Sequence, residues 1–228
     1  MKEVKKAIVW GDSVARGVVF DESRKRYRLA PCPAASYIAQ ERHMEITNRS
    51  RMGMTSSEGV RMLEKDLSAG LRADLAVLEF GGNDCDFDWK SVSEKPDSTH
   101  LPKTDAETFR QNLHRMIGDV RAAGMKPVLV NLPPVDGEKY LRFLSDKGLS
   151  ESNIRKWLGA PSQIYRFQER YSMIVARVAR ECRCRLLDIR SAFLRVWNDA
   201  SLLCADGIHP TGDGQLLAGK AILDGSCG

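Results

Sequence analysis

The chain has 228 residues, 43% hydrophobic and 29% charged, the make-up of an ordinary soluble globular protein with one domain or two small ones. Lys and Arg number 35 against 30 Asp and Glu, a net charge of +5. The basic residues are scattered rather than massed with aromatics, so no nucleic-acid partner is expected. Met1 to Lys6 is charged, and the apolar run behind it is only four residues long. That is too short for a signal-peptide core or a membrane span, so the expectation is a cytoplasmic protein without a membrane anchor. The six cysteines, Cys32, Cys85, Cys182, Cys184, Cys204 and Cys227, match neither a disulfide framework nor a zinc signature. Free thiols and no structural metal are expected.

Ala7 to Trp10 reads as a buried strand that stops at Gly11, with Asp12-Ser13 following at once. Val14 to Phe20 predicts a helix or a loop, and Asp21 to Leu29 a charged, exposed stretch. Ala34 to Glu41 carries apolar residues at helical spacing. Met44 to Asn48 is a second, short strand, followed by a polar loop, Arg49 to Thr55, that contains Gly53. Ser56 or Ser57 caps a helix through about Leu71. Asp74 to Phe80 is a third strand, continuously apolar as a strand buried on both faces would be, and it ends in Gly81-Gly82-Asn83-Asp84.

Cys85 to Lys103 lacks periodicity and reads as a long loop of the kind that is often functional. A helix capped by Thr104 or Asp105 runs to Gly124, and Val128 to Leu132 is a fourth strand. The segment 135–161 predicts two short helices in an insertion whose Tyr140, Phe143 and Trp157 either cover a pocket as a lid or pack as ordinary core. A long helix from Ser162 to Arg183, a fifth strand from Arg185 to Ile189, a short helix from Ala192 to Trp197 and a last helix opened by Thr211 complete the chain. The alternation of strand and helix calls for a parallel sheet with helices on both faces, within one domain, 1–228. The expected architecture is a flavodoxin-like three-layer α/β/α sandwich with five strands in the order 2-1-3-4-5.

In such a sheet, ligands bind outside the carboxyl ends of the strands, where Ser13 falls. Serine is a weak nucleophile until a base takes its proton. Of His43, His100, His114 and His209, only His209 has a carboxylate in a fixed local relation, in Asp206-Gly207-Ile208-His209-Pro210. Gly207 permits the tight path that would bring Asp206 to the imidazole, leaving the other ring nitrogen as base. Acyl transfer also needs donors for an oxyanion, each worth about 2.7–4 kcal/mol. The candidates are the backbone N–H groups of Ser13 and Gly53 and the side-chain amide of Asn83. Each of these stretches taken alone is also ordinary cap or turn chemistry.

Together the blocks Gly11-Asp12-Ser13-Val14, Gly53, Gly81-Gly82-Asn83-Asp84 and Asp206-x-x-His209-Pro210 closely resemble the SGNH (GDSL-like) hydrolase superfamily, in its block order and over nearly the whole chain. Val14 replaces the leucine of that family's first block. The resemblance implies Ser13 as nucleophile, His209 as base, Asp206 as its orienter, and Ser13, Gly53 and Asn83 as oxyanion donors. It implies ester hydrolysis on a small-molecule substrate without metal or organic cofactor. Asp12, Asp84 and Ile208 within these blocks, Trp89 shortly after the third and Tyr140 in the insertion are the pocket candidates.

An α/β-hydrolase elbow, Gly-x-Ser-x-Gly, is disfavoured, since Ser13 is near the N-terminus and position 15 is alanine. Short-acyl esters such as acetylated carbohydrate are the first expectation for substrate. Lysophospholipid, thioester and acyl-transfer chemistry are alternatives on the same site. A non-catalytic binding module is the alternative of another class.

Overall fold

The structure is a computed structural model and describes residues 4–196 and 200–225. Cys227 and Trp197, named above, lie outside the described residues, as does the start of the charged segment Met1 to Lys6. In chain order the elements begin with β1 (Lys6–Gly11), α1 (Ser13–Arg16), β2 (Val18–Asp21), β3 (Arg26–Leu29), α2 (Ala34–Glu41) and β4 (Glu45–Asn48). Next come α3 (Ser56–Ser68), β5 (Leu75–Glu79), α4 (Trp89–Glu94), α5 (Ala106–Ala122) and β6 (Lys126–Val130). The remainder is α6 (Gly137–Asp146), α7 (Glu151–Leu158), α8 (Ser162–Glu181), β7 (Arg185–Leu187), α9 (Ile189–Arg195) and α10 (Gly212–Leu223).

Five strands form one parallel sheet in the order β4-β1-β5-β6-β7. Counted along the chain, this is the expected 2-1-3-4-5. Side chains alternate across the sheet because successive Cβ atoms point to opposite faces. Ile8, Trp10, Ala76, Leu78 and Leu129 enter one core, with Leu63 of α3, Phe109, Leu113 and Met116 of α5, and Val175 and Val178 of α8. Val128, Val130 and Leu187 face the other way, toward Phe193 of α9, Ala218 of α10 and Ala34 of α2. A third cluster packs Phe87, Trp89 and Val92 against Tyr140, Leu141 and Leu144 of α6 and Ile154 and Leu158 of α7.

Two stretches differ from their sequence reading. Val18 to Leu29 is an antiparallel hairpin of β2 and β3, neither helix nor exposed loop. Its strands pair Phe20 with Tyr27 and Val18 with Leu29, and Val18, Val19 and Phe20 are buried. The charges that suggested solvent sit on the turn and on the outward positions Arg26 and Arg28. Within Cys85 to Lys103, residues Trp89–Glu94 form α4, capped by Asp88, whose side chain accepts the Ser91 N–H. The remaining helix boundaries shift by a few residues: Thr55 rather than Ser56 caps α3, in a capping box with Glu58, and Asp188 caps α9.

The sheet is locked to α3 at two points that bear on its carboxyl edge. Trp10 Nε1 donates to Asp66 Oδ2 at 2.9 Å, and Arg49 grips the same carboxylate through Nε and Nη2 at 2.9 and 2.7 Å. Gly59 lies where a Cβ would stand 2.4 Å from Phe80 Cζ, so α3 comes close enough to seat the ring just before the Gly81-Gly82 turn. Gly59→Ala is therefore expected to destabilise the fold by about 1–3 kcal/mol through overpacking. Urea unfolding with an unchanged slope and a lower midpoint is the expected record.

Candidate active site

Each loop at the carboxyl end of the sheet is built from a local carboxylate or glycine. After β1, Asp12 is extended and caps α1, accepting the Val14 N–H at 2.8 Å. Ser13 is thereby the first residue of α1, where a backbone N–H has no acceptor within the helix. Gly11 leaves no space for a side chain, since a Cβ there would be 2.6 Å from the Glu79 carbonyl oxygen. After β4 the chain keeps step with β1, Arg49 N–H donating to Val9 O and Arg51 N–H to Gly11 O. The turn then passes through Gly53 at φ +77°, a left-handed conformation that L side chains adopt with strain.

The loop before α10 brings the histidine. Asp206 Oδ1 accepts the N–H groups of Ile208 and His209 at 3.2 and 3.1 Å, and Oδ2 meets His209 Nδ1 at 2.7 Å. His209 Nε2 lies 2.8 Å from Ser13 Oγ. Asp206, Ser13 and His209 are 0%, 7% and 4% exposed, so the chain of hydrogen bonds is shielded from competing water. Gly207, at φ +75°, presses against Asp136 and Tyr140 at the start of α6, and its carbonyl accepts the Asp136 N–H at 2.8 Å. The segment 135–161 thus buttresses the histidine loop and supplies pocket wall.

Ser13 and His209 open into a cavity of about 220 Å³. Asp12, Gly53, Asn83, Trp89, Tyr140 and Ile208 share its wall. Asn83 Nδ2 donates to Asp12 Oδ2 at 3.1 Å, which orients the amide and leaves its second N–H. Asp84 is the exception among the pocket candidates. It is absent from the cavity wall, fully buried, and accepts both the N–H and the hydroxyl of Ser56, at 2.9 and 2.6 Å through Oδ1. The turn that presents Asn83 to the cavity directs the next side chain inward, to the N-terminus of α3, where a carboxylate is favoured. Burial pushes the Asp84 carboxyl up, and the Ser56 hydrogen bonds oppose that. Asp84 therefore ties the Gly53 loop to the Asn83 loop instead of touching a ligand.

Several wall residues were not singled out from the sequence, Tyr27, Glu79 and Phe167 among them. Tyr27 of β3 sets its ring 5.1 Å from the His209 imidazole and its hydroxyl on Asp206. Burial, then the Asp206 charge, push that hydroxyl up, so it stays a donor. The alternation Arg26-Tyr27-Arg28 carried the signal, hidden by its charges. Phe87 lies edge-on to Trp157 and Phe167, with centroids 4.9 and 5.0 Å away. Asp86 fixes this aromatic wall, accepting from Trp89 Nε1 at 2.6 Å, Tyr140 Oη at 3.2 Å and Lys103 Nζ at 2.9 Å. A larger cavity of about 510 Å³ lies between the second face of the sheet and α2 and α10, but neither Ser13 nor His209 borders it.

Among the described residues, no helix is long and apolar enough to cross a membrane. No curated protein matches the chain at a significant level. Solved structures do. The lipase/acylhydrolase from Enterococcus faecalis shares 19% identity over 98% of this chain and 95% of its own, with a TM-score of 0.65. A catalytic mutant of Axe2, an acetylxylan esterase from Geobacillus stearothermophilus, shares 16% over 96% and 93%, with a TM-score of 0.65. A member of the lipolytic protein G-D-S-L family from Veillonella parvula shares 13% over 96% and 97%, again at 0.65. At these identities the likeness is one of fold. A family model for the GDSL-like lipase/acylhydrolase family matches residues 9–217, and the chain belongs to that family of ester hydrolases.

Proposed function

We propose that this protein is a serine esterase that hydrolyses short-acyl esters through an acyl-enzyme on Ser13. The observation that carries the reading is the unbroken line Asp206–His209–Ser13, with contacts of 2.7 and 2.8 Å, at the wall of a small cavity. Ser13 Oγ attacks the ester carbonyl carbon as its proton passes to His209 Nε2. Asp206 holds the ring in the tautomer that leaves Nε2 open and stabilises the imidazolium that forms. The carbonyl oxygen, now an anion, meets the backbone N–H groups of Ser13 and Gly53 and the free N–H of Asn83. The tetrahedral adduct collapses, the alkoxide takes the proton from Nε2, and the acyl group stays on Oγ. Water then attacks with the same base, and the acid leaves.

Phe87, Trp89, Tyr140 and Phe167 give the cavity an aromatic wall, and Met52, half exposed, also lines it. A small cavity with an aromatic wall suits a small acyl group on a bulkier alcohol. An acetylated carbohydrate meets that description, and the acetylxylan esterase of similar fold supports it. In a series of p-nitrophenyl esters, kcat/KM is expected to be highest for acetate and to fall as the acyl chain lengthens. A maximum at a long acyl chain would overturn the substrate class and leave the reaction type standing.

Ser13→Ala is expected to abolish turnover and labelling by a fluorophosphonate probe while the melting temperature holds. Turnover that survives this substitution would end the acyl-enzyme reading. Asn83→Ala removes one oxyanion donor and is expected to lower kcat by about 10²–10³-fold, as losing such a donor does elsewhere. Steady-state kinetics on p-nitrophenyl acetate, showing a drop in kcat larger than any change in KM, checks the role.

A further inference from the structure

One buried acid beside the site has no part in the steps above. Glu79 closes β5 between Leu78 and Phe80, both core residues, and is 2% exposed. Its Oε2 accepts the Ala15 N–H at 3.2 Å, in the first turn after Ser13. Among the described residues no N–H or hydroxyl meets its Oε1 with hydrogen-bond geometry, although the Asp12 backbone N–H, like that of Ala15, favours the charged carboxyl. The same carboxyl meets that of Asp12, 1% exposed. Asp12 is well supplied with donors, Val14 N–H on Oδ1 at 2.8 Å and Asn83 Nδ2 on Oδ2 at 3.1 Å.

Two adjacent carboxylates this deep do not both ionise, so the pair keeps one proton. The donors decide where it sits: Asp12 has the N–H groups that favour a carboxylate, and Glu79 has a bare oxygen that is satisfied by carrying the proton itself. Burial, then the Asp12 charge, push Glu79 well above its ordinary 4.5. Burial also pushes Asp12 up, opposed by Val14, by Glu79 and by His209. Asp84 and Cys85 are the other titratable groups that feel the Asp12 charge.

We infer that Glu79, held as the neutral acid, is a positioning residue for the reaction at Ser13: it donates to Asp12 and accepts from Ala15, and so fixes the Ser13 turn on both sides and the Asn83 amide through Asp12. The inference rests on the esterase reading of Ser13 and adds a residue that takes no part in the bond-making steps. It also accounts for Gly11, whose missing side chain lets the ends of β1 and β5 close on each other.

Glu79→Gln and Glu79→Ala test it, with kcat and KM on p-nitrophenyl acetate followed from pH 5 to 10. Glutamine offers an N–H to Asp12 and an oxygen to Ala15, so Glu79→Gln is expected to keep wild-type kcat near neutrality. Glu79→Ala is expected to lose on the order of 10²-fold in kcat at unchanged KM, as a displacement of about 1 Å at a reacting group does. Wild-type activity is expected to fall at alkaline pH as the shared proton leaves, and Glu79→Gln, with no such proton, to hold its plateau. Melting curves carry the same sign. The stability that the protonated Glu79 supplies is complete below 4.5 and is lost as pH rises through its raised value, so Glu79→Gln gains on wild type with rising pH.

An alkaline limb in Glu79→Gln identical to that of wild type overturns the inference, and it decides the matter even where the alanine variant does not fold. A folded Glu79→Ala with wild-type kcat, beside an inactive Ser13→Ala, overturns this inference alone. A fully active Ser13→Ala overturns the esterase reading and this inference with it.

Discussion

In the proposed reaction the His209 imidazole takes a proton from Ser13 while its other nitrogen is held, and Asp206 is what holds it. The same carboxylate does two jobs. One oxygen meets Nδ1 at 2.7 Å, and the other accepts two consecutive backbone N–H groups, those of Ile208 and His209. The group that orients the ring therefore also folds the loop that carries the ring. Hydrogen bonds to a charged group contribute about 1.5–3 kcal/mol each, enough to hold a short loop against the entropy of its few residues. The Gly207 path through a left-handed turn is what lets both happen within four residues, with α6 pressed against the outside.

The same device recurs at the other strand ends. Asp12 caps α1 and reaches across to Asn83, so the loop after β1 is tied to the loop after β5. Asp84 reaches the start of α3, so the loop after β5 is tied to the one that carries Gly53. Arg16 Nη1 donates to Ser50 O and closes the ring of loops between α1 and β4. None of these contacts touches a ligand in the proposed reaction, yet together they set the distances between the three oxyanion donors. Donors aimed in advance at a developing charge need no reorganisation when it forms, which is where such sites gain most of their rate.

The sheet and its helices were legible because buried parallel strands and amphipathic helices each write a clear period into the sequence. The strand order followed from class, and the placement of Ser13, Gly53, Asn83 and His209 near one another followed from all four lying at strand ends. What stayed hidden has three causes, the first of them charge that reads as exposure. Arg26 and Arg28 concealed a strand whose Tyr27 lies against His209. Glu79, last in an apolar run, gave no sign of pairing with Asp12, since that contact joins residues 67 positions apart. Asp84 was placed in the pocket because its neighbour Asn83 is there, but adjacent side chains in a tight turn diverge, and the helix N-terminus of α3 claimed the carboxylate.

The two cavities show why volume does not locate chemistry. The one under α2 and α10, about 510 Å³, is walled mainly by Ala, Val, Ile and Leu, where α2 and α10 meet the sheet through small side chains such as Ala34, Ala35 and Ala218. Helices with short side chains there cannot fill the space above a sheet of β-branched residues, and a loosely filled layer is the result. The one at Ser13, about 220 Å³, is less than half that size but lies where strand ends, helix starts and buried acids concentrate N–H donors. Its aromatic end is not free to collapse, because Phe87, Trp89, Trp157 and Phe167 interlock and Asp86 fixes Trp89 and Tyr140 by hydrogen bonds. In the proposed reaction, a small pocket with an aromatic side and a polar side selects by shape at one and by charge development at the other. That division follows from the fold: the sheet's carboxyl edge supplies the polar half, and the stretch after β5 together with α6 and α8 supplies the apolar half.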